Sequence, residues 1–276
     1  MRGLLALSAA VVFLAPALSP GQNVAGPPSE AAASTTGARI WLGRHAEFEE
    51  CLRTAPIERM EKVGEGVTNP DRAFFAPGAL AQSALVKVLP PKRQKGYWES
   101  YKSEIAAYEL DRLLGLDMVP VTVERQVDGK GASAQLWLNG CRLLKSAGRE
   151  TPPRVRQWGR QVCRQRIFDA LIANIDRNTQ NILIDEQWNL ILIDHSRAFA
   201  RNETPFLDDI IQTDRELYES LKALDEATVM ARLKPWLFFG EKSVRQLLER
   251  RDKIVARLDK LIQDRGEASV FPFDVS

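Results

Sequence analysis

The pattern of hydrophobic and polar positions is most informative between residues 167 and 199. The stretch opens with an apolar helical end, formed by Ile167, Phe168, Leu171 and Ile172. It turns polar at Asn174, and two β-rich segments follow at residues 181–185 and 190–193, with a polar turn between them. This order predicts a buried helix end, a polar loop and a small β-hairpin.

Similar patterns predict the other elements. Helices are expected at residues 39–52, 97–114, 155–173, 225–233 and 242–263, and strands at residues 57–63, 84–89, 118–127 and 134–138. Asp128-Gly129 indicates a hairpin turn, and Thr213-x-x-Glu216 indicates a capping box before a further helix. One apolar stripe predicts a core-facing helix side, with a partner surface as the alternative: Val244, Leu247, Leu248, Val255, Leu258 and Ile262.

The first residues have the features of a targeting segment. Arg2 precedes an apolar run from Leu4 to Leu14, and Ala15-Pro16-Ala17 offers a small-residue cleavage site. Residues 1–19 therefore predict a secretory signal peptide, with an uncleaved membrane anchor as the alternative. Residues 20–38 are rich in Pro, Gly, Ala and Ser and predict a flexible linker. We expect export to the periplasm, a secretory lumen or the extracellular space, with no stable membrane span after cleavage.

Composition narrows the function classes. The 276 residues carry 38 basic and 36 acidic side chains, which gives a net charge of +2. This near balance gives no indication of a nucleic-acid partner. Cys51, Cys141 and Cys163 are widely spaced and the chain holds only two histidines, which argues against a zinc site. One disulfide is compatible with export, but the sequence does not choose the pair.

Three oxygen-bearing side chains border the predicted hairpin: Asp176, Asn181 and Asp194. Phosphoryl transfer needs a carboxylate to orient the attacking hydroxyl and hard oxygen ligands to hold Mg²⁺. Asp176 and Asn181 fit the D-x-x-x-x-N frame of kinases, and Asp194 follows a short hairpin as the D-F-G aspartate does. The alternative is that Asp176 and Asn181 only form turns.

Upstream residues could complete such a site. Gly64 and Gly66 open a turn that could cover phosphates, although an ordinary hairpin turn is an equal alternative. Lys87 interrupts an apolar strand, where a buried charge needs a partner. Glu104 on the following helix can supply it, and the alternative is a solvated carboxylate. Four leucines could line an adenine pocket or belong to the core: Leu136, Leu138, Leu143 and Leu144.

The motifs carry a family resemblance. Asn174-Ile-Asp-Arg177, Asn181-Ile-Leu-Ile-Asp185 and Ile193-Asp-His-Ser-Arg-Ala-Phe199 resemble the atypical kinases, which have N-x-D in place of H-R-D. The chain is similar to the secretory-pathway (Golgi casein) kinases, and also to HipA-type kinases and type II phosphatidylinositol 4-kinases. The helix Ser103-Glu-Ile-Ala-Ala-Tyr-Glu-Leu-Asp-Arg-Leu-Leu-Gly115 is the second matching motif. The matching pieces span roughly residues 60 to 200 of the sequence.

The resemblance implies a two-lobed α+β kinase-like fold, with an N-lobe at residues 39–150 and a C-lobe at residues 151–276. It implies transfer of the γ-phosphoryl group of ATP to a hydroxyl of a protein, sugar or lipid acceptor. In that interpretation Asp176 is the base and Asn181 and Asp194 bind Mg²⁺ or Mn²⁺. Lys87 with Glu104 orients the phosphates of the nucleotide, and Gly64 and Gly66 cover them. The alternatives are an inactive kinase-like binding module and a nucleotidyl transferase.

Overall fold

The structure is a computed structural model that describes residues 38–64, 70–94 and 96–274. The predicted signal peptide and all but Ala38 of the predicted linker lie outside these residues, as does Gly66. Within the described ranges, none of the helices combines the length and the apolar character needed to cross a bilayer. Cys51, Cys141 and Cys163 are free thiols, so the disulfide that the sequence left open is not formed.

Strands dominate the first half of the described chain and helices the second. The strands are β1 (Ile57–Lys62), β2 (Asp71–Phe75), β3 (Ser83–Lys87), β4 (Lys92–Gln94), β5 (Tyr97–Glu99), β6 (Thr122–Val127), β7 (Lys130–Leu136), β8 (Cys141–Leu143), β9 (Ile182–Asp185) and β10 (Leu190–Leu192). The helices are α1 (His45–Thr54), α2 (Tyr101–Leu114), α3 (Val155–Leu171), α4 (Arg215–Ala223), α5 (Glu226–Leu233), α6 (Glu241–Arg265) and α7 (Glu267–Val270).

Five antiparallel strands form the larger sheet, in the order β1-β2-β3-β7-β6. The hairpin predicted at Asp128-Gly129 joins β6 to β7 and is confirmed. Strand β2 was not predicted, because Asp71–Phe75 has no alternation of polar and apolar residues and only its pairing with both neighbours makes it a strand. The sheet also holds α1 in place, since the Arg125 guanidinium donates to the carbonyls of Leu52 and Ala55.

Two predicted helix starts were wrong. The first helix begins at His45 rather than at residue 39, because the chain turns at Gly43, whose φ of +73° is a left-handed conformation that favours glycine. Helix α2 begins at Tyr101 rather than at residue 97. Residues 97–99 instead pair with β4, and the Ser100 hydroxyl caps the helix by accepting from the N–H of Lys102. The end of α2 at Gly115 is as predicted.

A smaller sheet has the order β10-β9-β8. Its hairpin between β9 and β10 confirms the prediction from the apolar segments. Strand β8 precedes Thr151, the start of the predicted break between lobes, yet pairs with β9 beyond it. The chain on both sides of the break therefore shares one sheet, and the lobe boundary at residue 150 stays a prediction.

The C-terminal helices required two corrections. Asp214, not Thr213, caps α4, because its carboxylate accepts from the N–H of Leu217. Four members of the predicted α6 stripe are buried: Val244, Leu247, Leu248 and Leu258. Val255 and Ile262 are only partly buried, while Ile254 and Leu261 are buried in the core. The stripe therefore belongs to the hydrophobic core, and in the second half of α6 two of the buried positions lie one residue before the predicted ones.

Candidate active site

A cleft of about 660 Å³ separates the larger sheet from the smaller one. Its walls include Leu85 of β3, Gln135 of β7, Cys141 of β8 and Leu183 of β9. Four of the predicted site residues line it: Lys87, Asp176, Asn181 and Asp194. Its size suits a ligand such as a nucleotide, since small-molecule sites span roughly 300 to 1,000 Å³.

Lys87 makes two ion pairs at the inner end of β3. Its Nζ lies 2.5 Å from Glu104 Oε1 and 2.8 Å from Asp194 Oδ1. The side chains of Lys87 and Glu104 are only 7% and 2% exposed. Burial opposes the charge of Lys87, but Asp194 and Glu104 outweigh it and raise the pKa of the ammonium. The predicted contact between Lys87 and Glu104 is therefore present, while its role toward a nucleotide stays a prediction.

Glu104 also contacts the segment that follows β10. Its Oε2 accepts from the backbone N–H of His195 at 2.9 Å and lies 3.5 Å from His195 Nδ1. Burial opposes ionisation of Glu104, but Lys87 and His195 keep the pKa of this carboxyl well below its usual range. Burial lowers the pKa of His195, which is fully enclosed. One carboxylate thus ties α2 to both β3 and the residue after Asp194.

Arg177 fixes the backbone on both sides of the hairpin. Its guanidinium contacts both carboxylate oxygens of buried Asp169 and donates to the carbonyls of Asn181 and Ile193, at 2.6 and 2.8 Å. It also lies 2.9 Å from His195 Nε2. The sequence pattern indicated no role for Arg177 beyond its place in the N-x-D-R motif. The available signal was Asp169, an acid inside the apolar end of a helix that needs a buried partner.

Asp176 lies on the loop between α3 and β9 with its side chain 42% exposed. The backbone carbonyl of Asp176 accepts hydrogen bonds from the side-chain amides of Asn178 and Asn181, at 2.9 and 3.0 Å, and these two bonds fix the loop backbone. Its N–H donates to the Asn174 side chain at 3.2 Å. Its Oδ2 contacts Arg197 at 3.0 Å. No pattern in the sequence predicted this contact of Arg197.

The donor set fits a hard divalent cation. The Asn181 side-chain nitrogen donates to the Asp176 carbonyl, which leaves the Asn181 side-chain oxygen available, and both Asn181 and Asp194 line the cleft. Amide and carboxylate oxygens suit Mg²⁺ and Mn²⁺. Among the described residues no group of three or more His, Cys, Asp or Glu side chains could hold an ion by itself. These two ligands would therefore need oxygens from a bound phosphate as well.

Of the predicted glycines and leucines, only some line the cleft. Gly64 has a φ of +55°, and the residues on either side of its loop, Val63 and Pro70, line the cleft. The roles of Gly64 and Gly66 stay predictions. Three of the four leucines proposed for an adenine pocket line the cleft: Leu136, Leu138 and Leu143. Leu144 instead packs against the hydrophobic core.

Several solved structures resemble this chain in fold at low sequence identity. No protein-family model and no curated protein matches its sequence. The Golgi casein kinase with Mn/ADP bound superposes with a TM-score of 0.63 at 16% identity, over 82% of this chain and 78% of that one. Hydra Fam20 with sugar gives 0.61 at 15% identity, over 80% and 90%. The Helicobacter pylori proinflammatory kinase CtkA gives 0.50 at 14% identity, over 78% and 96%. The chain therefore has a two-lobed α+β kinase-like fold, similar to the folds of the Golgi casein kinase and hydra Fam20.

Proposed function

We propose that this protein is an ATP- and divalent-metal-dependent kinase that phosphorylates a hydroxyl of a protein, sugar or lipid acceptor. One observation carries the proposal. The buried pair of Lys87 and Glu104 meets Asp194 in the same cleft that Asp176 and Asn181 line. Perturbed, mutually paired ionisable groups in a cleft are characteristic of functional sites. The structure of the Golgi casein kinase with Mn/ADP gives further support to nucleotide and metal binding.

Each residue has a distinct role in this proposal. Lys87, positioned by Glu104, binds phosphate oxygens of the nucleotide. Asp176 accepts the proton of the acceptor hydroxyl as its oxygen attacks the γ-phosphorus. The bond from that phosphorus to the bridging oxygen breaks, and ADP leaves with the electron pair. Asn181 and Asp194 would hold Mg²⁺ or Mn²⁺, which when bound offsets the charge on the phosphates.

Thermal unfolding of the chain with ATP and Mg²⁺ or Mn²⁺ tests nucleotide binding. A ligand at a hundredfold excess over its dissociation constant stabilises the native state by ~2.7 kcal/mol and raises the midpoint. We expect this shift to require metal, to be lost in Asp194→Ala and to persist in Asp209→Ala. Asp209 is an exposed aspartate outside the cleft lining, which makes it a matched control. A metal-independent shift, or a full shift in Asp194→Ala, would remove Asp194 from the site.

Turnover separates the kinase from its alternatives. Asp176→Ala should keep the thermal shift but stop product formation, because the base acts on the acceptor and not on the nucleotide. The mass of the product decides between the reactions, since a kinase adds one phosphate and a nucleotidyl transferase adds a nucleotide. Nucleotide binding without turnover of any protein, sugar or lipid acceptor would instead favour a binding module.

We also propose that the protein acts after export, on the basis of the signal-peptide pattern in residues 1–19. Mass spectrometry of the protein isolated from its native source should find an N-terminus near residue 20. Retention of Met1 would contradict cleavage and favour the uncleaved anchor.

A further inference from the structure

Arg197 contacts two carboxylates that are far apart in the sequence. Its Nη1 lies 3.0 Å from Asp176 Oδ2, while its Nη2 and Nε lie 2.7 and 2.8 Å from Glu99 Oε1. The Glu99 side chain is 3% exposed and that of Arg197 is 24% exposed. The planar guanidinium suits such a bridge, because its donors point in fixed directions and can serve two acceptors at once.

Glu99 is itself attached to the start of α2. It is the last residue of β5, directly before the capping residue Ser100. The N–H of Ser100 donates to the carbonyl of Ser196 at 2.9 Å, and the Ser103 hydroxyl donates to the carbonyl of Ala198 at 3.3 Å. The first turn of α2 and the segment around Arg197 are therefore joined by one backbone–backbone and one side chain–backbone hydrogen bond as well as by the ion pair.

The carboxylate of Asp176 has no other anchor among the described residues. The backbone of Asp176 is held by Asn174, Asn178 and Asn181, but these contacts leave its side chain free to rotate. Arg197 binds Oδ2 alone, which leaves Oδ1 available to a hydroxyl. A half-exposed aspartate on a loop would otherwise sample several rotamers, and misplacement of a reacting group by about 1 Å can cost a hundredfold in rate.

We infer that Arg197 is a positioning residue that orients the Asp176 carboxylate and, through Glu99, couples it to the placement of α2. The inference rests on the proposed kinase function, in which Asp176 is the base. Because α2 also carries Glu104, the position of the start of α2 then determines the placement of both the phosphate-binding Lys87 and the base Asp176. An acceptor hydroxyl meets an oriented carboxylate only when α2 is in the position that pairs Glu104 with Lys87.

The test compares Arg197→Gln and Arg197→Lys with Arg201→Gln. Arg201 is a matched control, because both guanidinium groups lie over the Tyr97 ring, at 4.9 and 5.8 Å, but no ion pair of Arg201 is present in the described part of the chain. We expect Arg197→Gln to lower kcat by about 10- to 100-fold while KM and the thermal shift for ATP change less than about threefold. Arg197→Lys should recover part of the loss, and Arg201→Gln should match the wild type.

Two further arms distinguish positioning from other roles. If Arg197 acts through Asp176, Arg197→Gln should add no further loss in an Asp176→Asn background. Equal losses of ATP binding and kcat in Arg197→Gln would indicate a structural role and overturn the inference. A rise in kcat would also overturn it, since it would mean that Arg197 blocks the base.

A measurement that does not require catalytic turnover distinguishes failure of this inference from failure of the proposed function. In the ligand-free protein, the carboxyl ¹³C resonance of Asp176 should shift in Arg197→Gln and stay in place in Arg201→Gln. An unchanged resonance in Arg197→Gln overturns the inference even in an active kinase. A shifted resonance in a protein that binds no nucleotide supports the ion-pair bridge while the kinase proposal fails.

Discussion

Replacing Lys87 with Met tests the buried pair at the center of the cleft. At 2.5 Å and an effective dielectric constant of about 20, the attraction between Lys87 and Glu104 is roughly 7 kcal/mol. Desolvation costs several kcal/mol for each ion, so the intact pair contributes little net stability. Removal of one partner is different, because Glu104 keeps its burial and loses its counter-charge. We expect Lys87→Met to lower the free energy of unfolding by ~3–5 kcal/mol at pH 8.

The expected pH dependence has a defined sign. In the wild type the pKa of Glu104 is depressed below its unfolded value, so the stability from its ionised form is present above that value and is lost in acid. In Lys87→Met, burial without Lys87 should raise the pKa of Glu104 above the unfolded value of about 4.3. That variant then loses stability as the pH rises through the raised pKa. The deficit relative to the wild type should therefore be larger at pH 8 than at pH 5.

Urea unfolding followed by tryptophan fluorescence measures these differences. The set comprises the wild type, Lys87→Met, Lys87→Met/Glu104→Gln and the control Lys253→Met, an exposed lysine on α6. The control should stay within about 0.5 kcal/mol of the wild type. The double variant should recover most of the loss, because neither buried member of the pair is charged any longer and Asp194, the other partner of Lys87, is 36% exposed. A loss below ~1 kcal/mol in Lys87→Met at pH 8, or no recovery in the double variant, would refute the reasoning.

Three other predictions address the surrounding network. Arg177→Ala should lower the free energy of unfolding by ~3–5 kcal/mol in urea, because it leaves Asp169 buried without its counter-charge; an effect below ~1 kcal/mol would contradict this. Burial raises the pKa of Asp111 to about 8, so its stabilising contribution declines from about pH 4 to pH 8 as the unfolded chain ionises first. Asp111→Asn should therefore gain stability over the wild type by up to ~1.4 kcal/mol per pH unit between pH 5 and 8, and a pH-independent difference would exclude this cause. Ser100→Ala should cost ~1 kcal/mol by removing the cap on Lys102, and no change in the thermal midpoint would show that the cap contributes nothing.

Local patterns predicted most of the elements near the site. The apolar segments around residues 182–185 and 190–192 specified the hairpin, because alternating and continuous apolar runs constrain the backbone over a few residues. The Asp128-Gly129 turn predicted the hairpin that joins β6 to β7, although the return strand begins at Lys130 rather than at residue 134. A charged Lys87 in an apolar strand also required a partner, and the resemblance of the following helix to the secretory-pathway kinases favoured Glu104. Each of these depends on interactions between residues that are close in sequence or on a strong penalty for one buried group.

Contacts between segments that are distant in the sequence could not be predicted from local patterns. Arg197 reaches Glu99 across 98 positions, and nothing near either residue specifies the other. Strand β2 exists because β1 and β3 pair with it, and Asp214 displaces Thr213 as the cap of α4 although both are suitable residues.

The sequence by itself determined most of the longer elements, the kinase-like motif and the residue types available for chemistry. Only the tertiary structure decided which carboxylate each arginine contacts and that Glu104 joins Lys87 to His195. The physical reason is that local conformation follows from neighbouring residues, whereas the pairing of buried charges follows from the packing of the whole core. That packing brings α2, the Asp176 loop and the segment after β10 together around one cleft.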